Sequence, residues 1–103
     1  MADFMKMLQQ AQELQGKLQK AREELQQQTV RASSGGGMVT VEANGEGTIR
    51  SIKVDPSVVN AADVEMLEDL LLVAITEAQK KAQETAQQEM GKLTGGLPFK
   101  LPF

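Results

Sequence analysis

The sequence predicts an α+β domain in which a long helix, a three-stranded antiparallel β-meander and a second long helix follow one another. The central stretch at residues 35–56, GGGMVTVEANGEGTIRSIKVDP, contains two short runs rich in β-branched residues. Between these runs, Asn44 and Gly45 form a pair that tolerates the positive φ values of a tight hairpin turn. The flanking segments repeat their apolar residues with a helical period.

One domain is expected, because 103 residues are too few for two stable cores. We expect it to divide into four ranges: helix 1 at 1–28, the β-meander at 29–55, helix 2 at 61–90, and a tail containing Gly and Pro at 91–103.

The first helix, from about Asp3 to Gln28, carries a narrow apolar seam. Its members follow an a/d heptad pattern: Phe4, Met7, Ala11, Leu14, Leu18, Ala21 and Leu25. A narrow seam is typical of contact with one partner helix. An amphipathic helix lying on a sheet is the alternative, and pairing with the second helix is favoured.

The first strand is expected over residues 28–33, where the helical period is lost and Thr and Val appear. Residues 33–37, SSGGG, have the composition of a phosphate-binding loop. Such loops lead from a strand into a helix, and the positive end of the helix dipole at its N-terminus attracts the anion. This one leads into another strand, so we interpret it as a turn.

The second strand alternates an apolar set, Val39, Val41 and Ala43, with a mixed set. The third strand carries Ile49, Ile52 and Val54, which break a period of two. A β-bulge, or partial burial of both faces, would account for that spacing. Three strands leave two open edges and cannot bury a sheet face unaided.

The second helix is expected to be capped by Asn60 or Asp63 and to end near Met90, before Gly91. Residues 70–75, LLLVAI, are apolar on every face and require burial on all sides. Small residues recur every four positions, a spacing that allows another helix to approach closely: Ala74, Ala78, Ala82 and Ala86. The tail is interpreted either as a loosely docked segment or as a peptide that packs on a partner subunit.

Both helices join the meander at one end, so they are expected to run antiparallel and to project beyond the sheet as an arm. A helix of about 26 residues is about 39 Å long, whereas a strand of about seven residues spans about 23 Å. The open edges and the apolar segment at 70–75 predict a homodimer with two projecting arms.

The composition argues against catalysis, because the chain contains no His, Cys, Tyr or Trp. The commonest general base, metal ligand and thiol nucleophile are therefore missing, and no catalytic loop motif is present. We expect no catalytic residues, no cofactor, no metal and no small-molecule substrate. Without a run of about eighteen apolar residues or a signal peptide, we expect a cytoplasmic protein with no membrane partner.

The order of these parts resembles the YbaB/EbfC family of nucleoid-associated proteins. The resemblance covers nearly the whole chain and rests on four stretches taken together: MKMLQQAQELQGKLQKAREEL, GGGMVTVEANGEGTIRSIKVDP, VEMLEDLLLVAITEAQKKAQE and LTGGLPFKLPF. It implies a dimeric, tweezer-shaped protein that binds double-stranded DNA over the nucleoid, with a role in nucleoid organisation or gene regulation.

The net charge of −3 has the wrong sign for a protein that neutralises phosphates, but the charges are unevenly distributed. Residues 1–22 and 78–103 each hold four basic against two acidic residues, while residues 55–69 hold five acids and no base. With no arginine cluster, we expect contacts to be mainly with the DNA backbone. The candidate DNA-binding residues are those of the two helices: Lys17, Lys20, Arg22, Lys80, Lys81 and Lys92.

Two alternatives stay open. These basic residues also fit the solvated faces of ordinary helices. A dimeric protein-binding scaffold, with the Gln-rich helices and the Pro-Phe tail as docking surfaces, would use no nucleic acid at all.

Overall fold

The computed structural model describes residues 2–94 and has the predicted α-β-β-β-α order. The elements are α1 (Ala2–Gln27), β1 (Thr29–Ser34), β2 (Val39–Asn44), β3 (Ile49–Val54) and α2 (Val64–Thr94). The strands form one antiparallel sheet in the order β1-β2-β3. The fold class is therefore confirmed. Most of the predicted tail, residues 95–103, lies outside the described residues.

The central strand provides the core face of the sheet. Val39, Val41 and Ala43 of β2 are completely buried, as their alternation predicts. In β1, Ala32 pairs with Val41 and Ser34 pairs with Val39, so both lie on the same face and both are buried. Ser34 is the polar member of this face, and its hydroxyl donates to the Leu70 carbonyl at 2.6 Å. The residues that alternate with this set, among them Arg31, Ser33 and Glu42, face the opposite side.

A β-bulge in the third strand explains its irregular period. Glu42 pairs with Ser51 and Ala43 pairs with Ile49, which leaves Arg50 as an extra residue. Of the two explanations that the spacing left open, a bulge or partial burial of both faces, the register shows the bulge. It brings all three apolar residues of β3 onto the core face, opposite those of β2: Ile49, Ile52 and Val54.

Helix α2 crosses the core face over β1 and β2. Ala74 and Ala78 are completely buried in the cluster that these two strands form. The alanine repeat therefore begins against the sheet, and not against another helix as the sequence suggested. Small side chains on a helix permit a close approach to either kind of surface, so the spacing alone does not identify the partner.

The β2–β3 hairpin forms, but its turn differs from the one expected. The positive φ falls on Gly47, at 93°, and not on Asn44 or Gly45. The Asn44 side chain organises the loop instead, because its Oδ1 accepts hydrogen bonds from the backbone N–H groups of Glu46 (2.9 Å) and Thr48 (3.0 Å). The asparagine is thus a side-chain acceptor here.

The hairpin loop holds the last turn of α1. The Gly45 N–H donates to the Leu25 carbonyl at 2.7 Å, and the Arg50 Nη2 donates to the Gln26 carbonyl at 2.9 Å. Both carbonyls belong to the end of a helix, where intrahelical donors run out. A Cβ at Gly45 would stand 2.7 Å from the Leu25 carbonyl oxygen, so this approach requires glycine.

Beyond this junction α1 projects from the body, and the molecule is 72 Å long. The predicted seam is buried only at Ala21 and Leu25, while Phe4 and Met7 are more than 60% exposed. The expectation of a continuous helix pair is thus wrong for the outer half of α1. The reason is length: α2 spends its first half on the sheet, so only its last turns remain to accompany α1.

The ends of α2 also differ from the expected 61–90. Asp63 accepts from the Met66 N–H at 3.2 Å, which makes it the capping residue and starts the helix at Val64. The helix then continues through Gly91 to Thr94. A glycine inside a helix costs only about 1 kcal/mol relative to alanine, which neighbouring helical residues can offset.

Gly45→Ala should destabilise the fold, because the new Cβ would collide with backbone atoms of α1. We expect a loss of about 1–3 kcal/mol in the free energy of unfolding, measured by urea denaturation. Gly16→Ala is the control, since nothing lies within 4 Å of its Cβ position in the middle of α1. That change should stabilise the protein by up to about 1 kcal/mol. Equal changes in the free energy of unfolding of the two variants would contradict the close contact between Gly45 and α1.

The pKa of Asp55 provides a pH-dependent test of the body. The backbone N–H of Ser57 donates to this carboxylate at 2.9 Å, and together with the Ser57 side chain it lowers the pKa below its ordinary value. Because the folded-state pKa is the lower one, the contribution to stability is present above the unfolded pKa and is lost as pH falls through the folded pKa. The stability difference between wild type and Asp55→Ala should therefore shrink as pH falls through the folded pKa. An NMR titration of Asp55 should have its midpoint below that of an aspartate in an unstructured peptide.

Candidate nucleic-acid interface

The charges separate along the long axis of the molecule. The five acids of residues 55–69 lie beyond the end of β3 and in the first turns of α2, at the end of the sheet away from α1. Asp55 and Asp63 cap the turn and the helix that begin there. Acidic side chains at a helix N-terminus are favoured by its dipole. The one stretch with acids and no base therefore lies at the far end of the body, whereas acids and bases are mixed on the arm.

Three of the six candidate residues meet in the arm. Lys17 and Lys20 of α1 line one groove together with Lys92 of α2. Glu24 and Glu89 lie in the same groove, and the Glu89 carboxylate is 3.5 Å from the Lys92 Nζ. Three cations against two carboxylates leave this groove weakly positive. Within residues 2–94, Lys17 and Lys20 form no ion pair or side-chain hydrogen bond.

The arginines are all engaged within the chain. Arg22, a candidate residue, pairs with Glu46 of the hairpin loop at 3.1 Å, and Arg31 pairs with Glu42 across the β1–β2 ladder. Arg50 holds the end of α1. The guanidinium groups, which are suited to hydrogen bonding with base edges, are therefore engaged in contacts that stabilise the fold. The available cations of the arm are lysines, which suit phosphate contacts.

Adjacent lysines of α2 have different surroundings. The Lys81 Nζ donates to the Arg31 carbonyl at 2.8 Å, so it occupies an acceptor on β1, which is an edge strand. A lysine on an open edge hinders pairing with other strands. Lys80 is exposed and has no such contact within the described residues. Of this pair, Lys80 is therefore the better candidate for DNA, and Lys81 has a role in the fold.

The candidate set omitted Lys6. This residue is exposed on α1 and precedes Lys17 by eleven residues, or about three turns, so both lie on the same side of the helix. That side differs from the apolar seam. A helical-wheel projection of the lysines alone would have identified this row, which runs from Lys6 to Lys20.

Residues 2–94 contain no group of three or more His, Cys, Asp or Glu side chains placed to hold a metal ion. Neither described helix is long and apolar enough to cross a membrane.

Comparison of the sequence with known proteins places the chain in a family. Residues 1–97 match the model of the YbaB/EbfC DNA-binding family. The chain belongs to this family. A nucleoid-associated protein of Gemmatimonas aurantiaca is 52% identical over 98% of this chain and 99% of its own length. Another from Brucella ovis is 43% identical over the full length of both chains.

A solved structure supports the fold of the YbaB/EbfC chain independently. An uncharacterized protein from Helicobacter pylori superposes with a TM-score of 0.82, over 89% of this chain and 97% of its own. At 23% sequence identity, this likeness concerns the fold alone. The YbaB/EbfC family is described by DNA binding and not by a reaction. The match includes both helices and the sheet, so the groove of Lys17, Lys20 and Lys92 lies within it.

Replacing Lys81 should affect stability, whereas replacing Lys80 should not. Lys81→Ala removes the hydrogen bond to the Arg31 carbonyl, and we expect a loss of about 0.5–1.5 kcal/mol in the free energy of unfolding. Lys80→Ala is the matched control and should stay within about 0.5 kcal/mol of wild type. Urea denaturation of both variants provides the comparison. If the two variants have the same free energy of unfolding, the contact between Lys81 and the edge strand does not stabilise the protein.

Proposed function

We propose that this protein binds double-stranded DNA as a homodimer, mainly through contacts between arm lysines and the phosphate backbone, and that it is associated with the nucleoid in the cytoplasm. The observation that carries this proposal is the separation of charge within a chain of a DNA-binding family. An acid-only stretch lies at the far end of the body, the arginines are engaged within the chain, and within residues 2–94 Lys17 and Lys20 of the arm form no ion pair. We propose no catalytic activity and no cofactor.

A backbone mode follows from the kind of cation available. Lysine is a mobile point charge, and phosphate contacts need no rigid geometry. Recognition of bases would require rigid side chains held against the groove edges. The candidate phosphate contacts are therefore five lysines: Lys6, Lys17, Lys20, Lys80 and Lys92. Arg22 can add positive charge near the DNA while its guanidinium stays paired with Glu46.

The proposed dimer would cover an apolar surface that one chain leaves open. Because α2 lies over β1 and β2, the core face of β3 is incompletely covered, and Ile52 is 45% exposed there. On α2, Leu72 is 66% exposed and Val73 is also exposed, within the segment expected to be buried on all sides. Apolar side chains exposed beside an open strand edge are typical of an interface between subunits.

The proposed dimer is tested by introducing a charged side chain into that apolar surface. Ile52→Asp should yield a monomer at micromolar concentration in sedimentation velocity, because a charge would be buried without a partner in the interface. The exposed position lets the monomer itself accept the change. Met5→Asp, at an exposed apolar position of α1 away from the sheet, should leave a dimer. A wild-type monomer at this concentration would contradict the proposed dimer.

The phosphate contacts are tested by the salt dependence of binding to a random-sequence duplex. Replacing Lys17 and Lys20 by Gln removes up to four cations from a dimer, so the slope of log K against log salt should become shallower by up to about 3–4. Affinity should fall by a similar factor for all duplex sequences. Lys53→Gln is the control, because Lys53 is an exposed lysine on the outer face of the sheet. An unchanged slope in the double variant, or an equal change in the control, would contradict binding by the arms.

A second candidate is a protein-binding scaffold, which the exposed seam of α1 favours. The two functions differ in their response to salt. A scaffold would retain no duplex in a gel at any salt concentration, whereas a phosphate-binding dimer retains it at low salt and releases it as salt rises.

A further inference from the structure

The outer half of α1 carries an apolar surface that nothing in residues 2–94 covers. Phe4, Met7, Leu8 and Leu14 are exposed on adjoining positions of the helix, and α2 ends before it can reach them all. We call these four residues the arm stripe. A projecting helix with such a stripe is marginal in water, because an isolated helix gains little without packing of its apolar face.

The chain leaves α2 beside this stripe. Leu93, one residue before the end of the helix, lines a groove together with Met7, Ala11 and Leu14 of α1. Because the two helices run in opposite directions, the axis of α2 at Thr94 points towards the N-terminus of α1. The part of the stripe that α2 leaves uncovered therefore lies ahead of the end of this helix.

The remaining chain is long enough to cover the stripe. Residues 95–103 can span about 30 Å when extended, whereas the rise of α1 from Leu14 to Phe4 is about 15 Å. Two glycines, Gly95 and Gly96, follow the helix directly and allow the chain to change direction.

The sequence of this segment matches an apolar surface. In LPFKLPF, residues 97–103, every second residue is Leu or Phe, and the others are Pro or Lys. Each proline restricts the residue before it to extended conformations, here Leu97 and Leu101. An extended chain with this alternation presents its large apolar side chains on one side.

We propose that residues 97–103 dock on the arm stripe of their own chain, with Leu97, Phe99, Leu101 and Phe103 covering the apolar side chains of α1. Docking leaves Lys6 and Lys20 free, because they lie on another side of the helix, while Lys17 lines the groove beside Leu93. The segment would thus stiffen the arm and leave most of its lysine row accessible. It would also remove the exposed surface that favours a protein-binding scaffold.

A single tryptophan tests the docking, since the chain contains no Trp or Tyr. In Phe99→Trp, the full-length protein should emit at a shorter wavelength than the same protein unfolded in urea, and acrylamide should quench it less. Adding Met7→Asp should shift the emission to the wavelength of exposed Trp. Met5→Asp is the matched control, because Met5 is as exposed as Met7 but lies on the other side of α1. This control should leave the emission unchanged.

A mixing experiment distinguishes docking within one chain from exchange between chains. Chains carrying Phe99→Trp and Met7→Asp are mixed with an excess of wild-type chains, which have an intact stripe and no Trp. Docking within the chain predicts that the Trp stays exposed after mixing. Recovery of the short-wavelength emission would overturn that assignment in favour of the partner's stripe.

Hydrogen exchange provides a readout without the Trp substitution. A chain ending at Gly96 should exchange the amides of residues 4–14 faster than the full-length chain does, while those of residues 70–82 should be unchanged. Exposed Trp in Phe99→Trp, an emission that survives Met7→Asp, or equal exchange in the two chain lengths would each overturn the proposal.

Discussion

The direction of the arm depends on one contact, in which the backbone of Gly45 meets the carbonyl oxygen of Leu25. The last carbonyls of α1 lack intrahelical donors, and the hairpin provides them from Gly45 and Arg50. Glu46 adds ion-pair and amide contacts to Arg22 and Gln26. The hairpin thus holds this 26-residue helix near its C-terminal end, and further out α1 lies beside the last turns of α2.

This junction determines how the charges are used. Residues that would otherwise suit DNA recognition, Arg22 and Arg50, are required to hold α1 in place. Arg31 and Lys81 serve the edge of the sheet. What remains on the arm is a set of mobile lysines, and their chemistry favours backbone contact over base recognition. The acids at the opposite end of the sheet stabilise the start of α2 and keep the net charge negative without facing the arm.

Local patterns predicted the elements of the fold well, since helical period, strand alternation and the bulge are properties of short windows. The alternation of Val39, Val41 and Ala43 alone identified the core face of the sheet. Features that depend on packing between distant parts of the chain could not be predicted from such windows. The heptad seam could not show that the first half of α2 lies on the sheet, so that only its last turns accompany α1. The sequence also could not show that Asn44 organises the loop by its side chain, whereas Gly45 permits a close approach by its missing Cβ. The candidate lysines were chosen by charge, and only contacts separate Lys80 from Lys81.

The central claim is that DNA contacts the arms and not the sheet. Hydrogen-exchange mass spectrometry with and without a saturating random-sequence duplex tests it most directly, because it reports on every segment at once. Binding by the arms predicts slower exchange in α1 and in the last turns of α2, with no change in β1, β2 or β3. Protection concentrated in the sheet, with exchange in both helices unaltered, would contradict it.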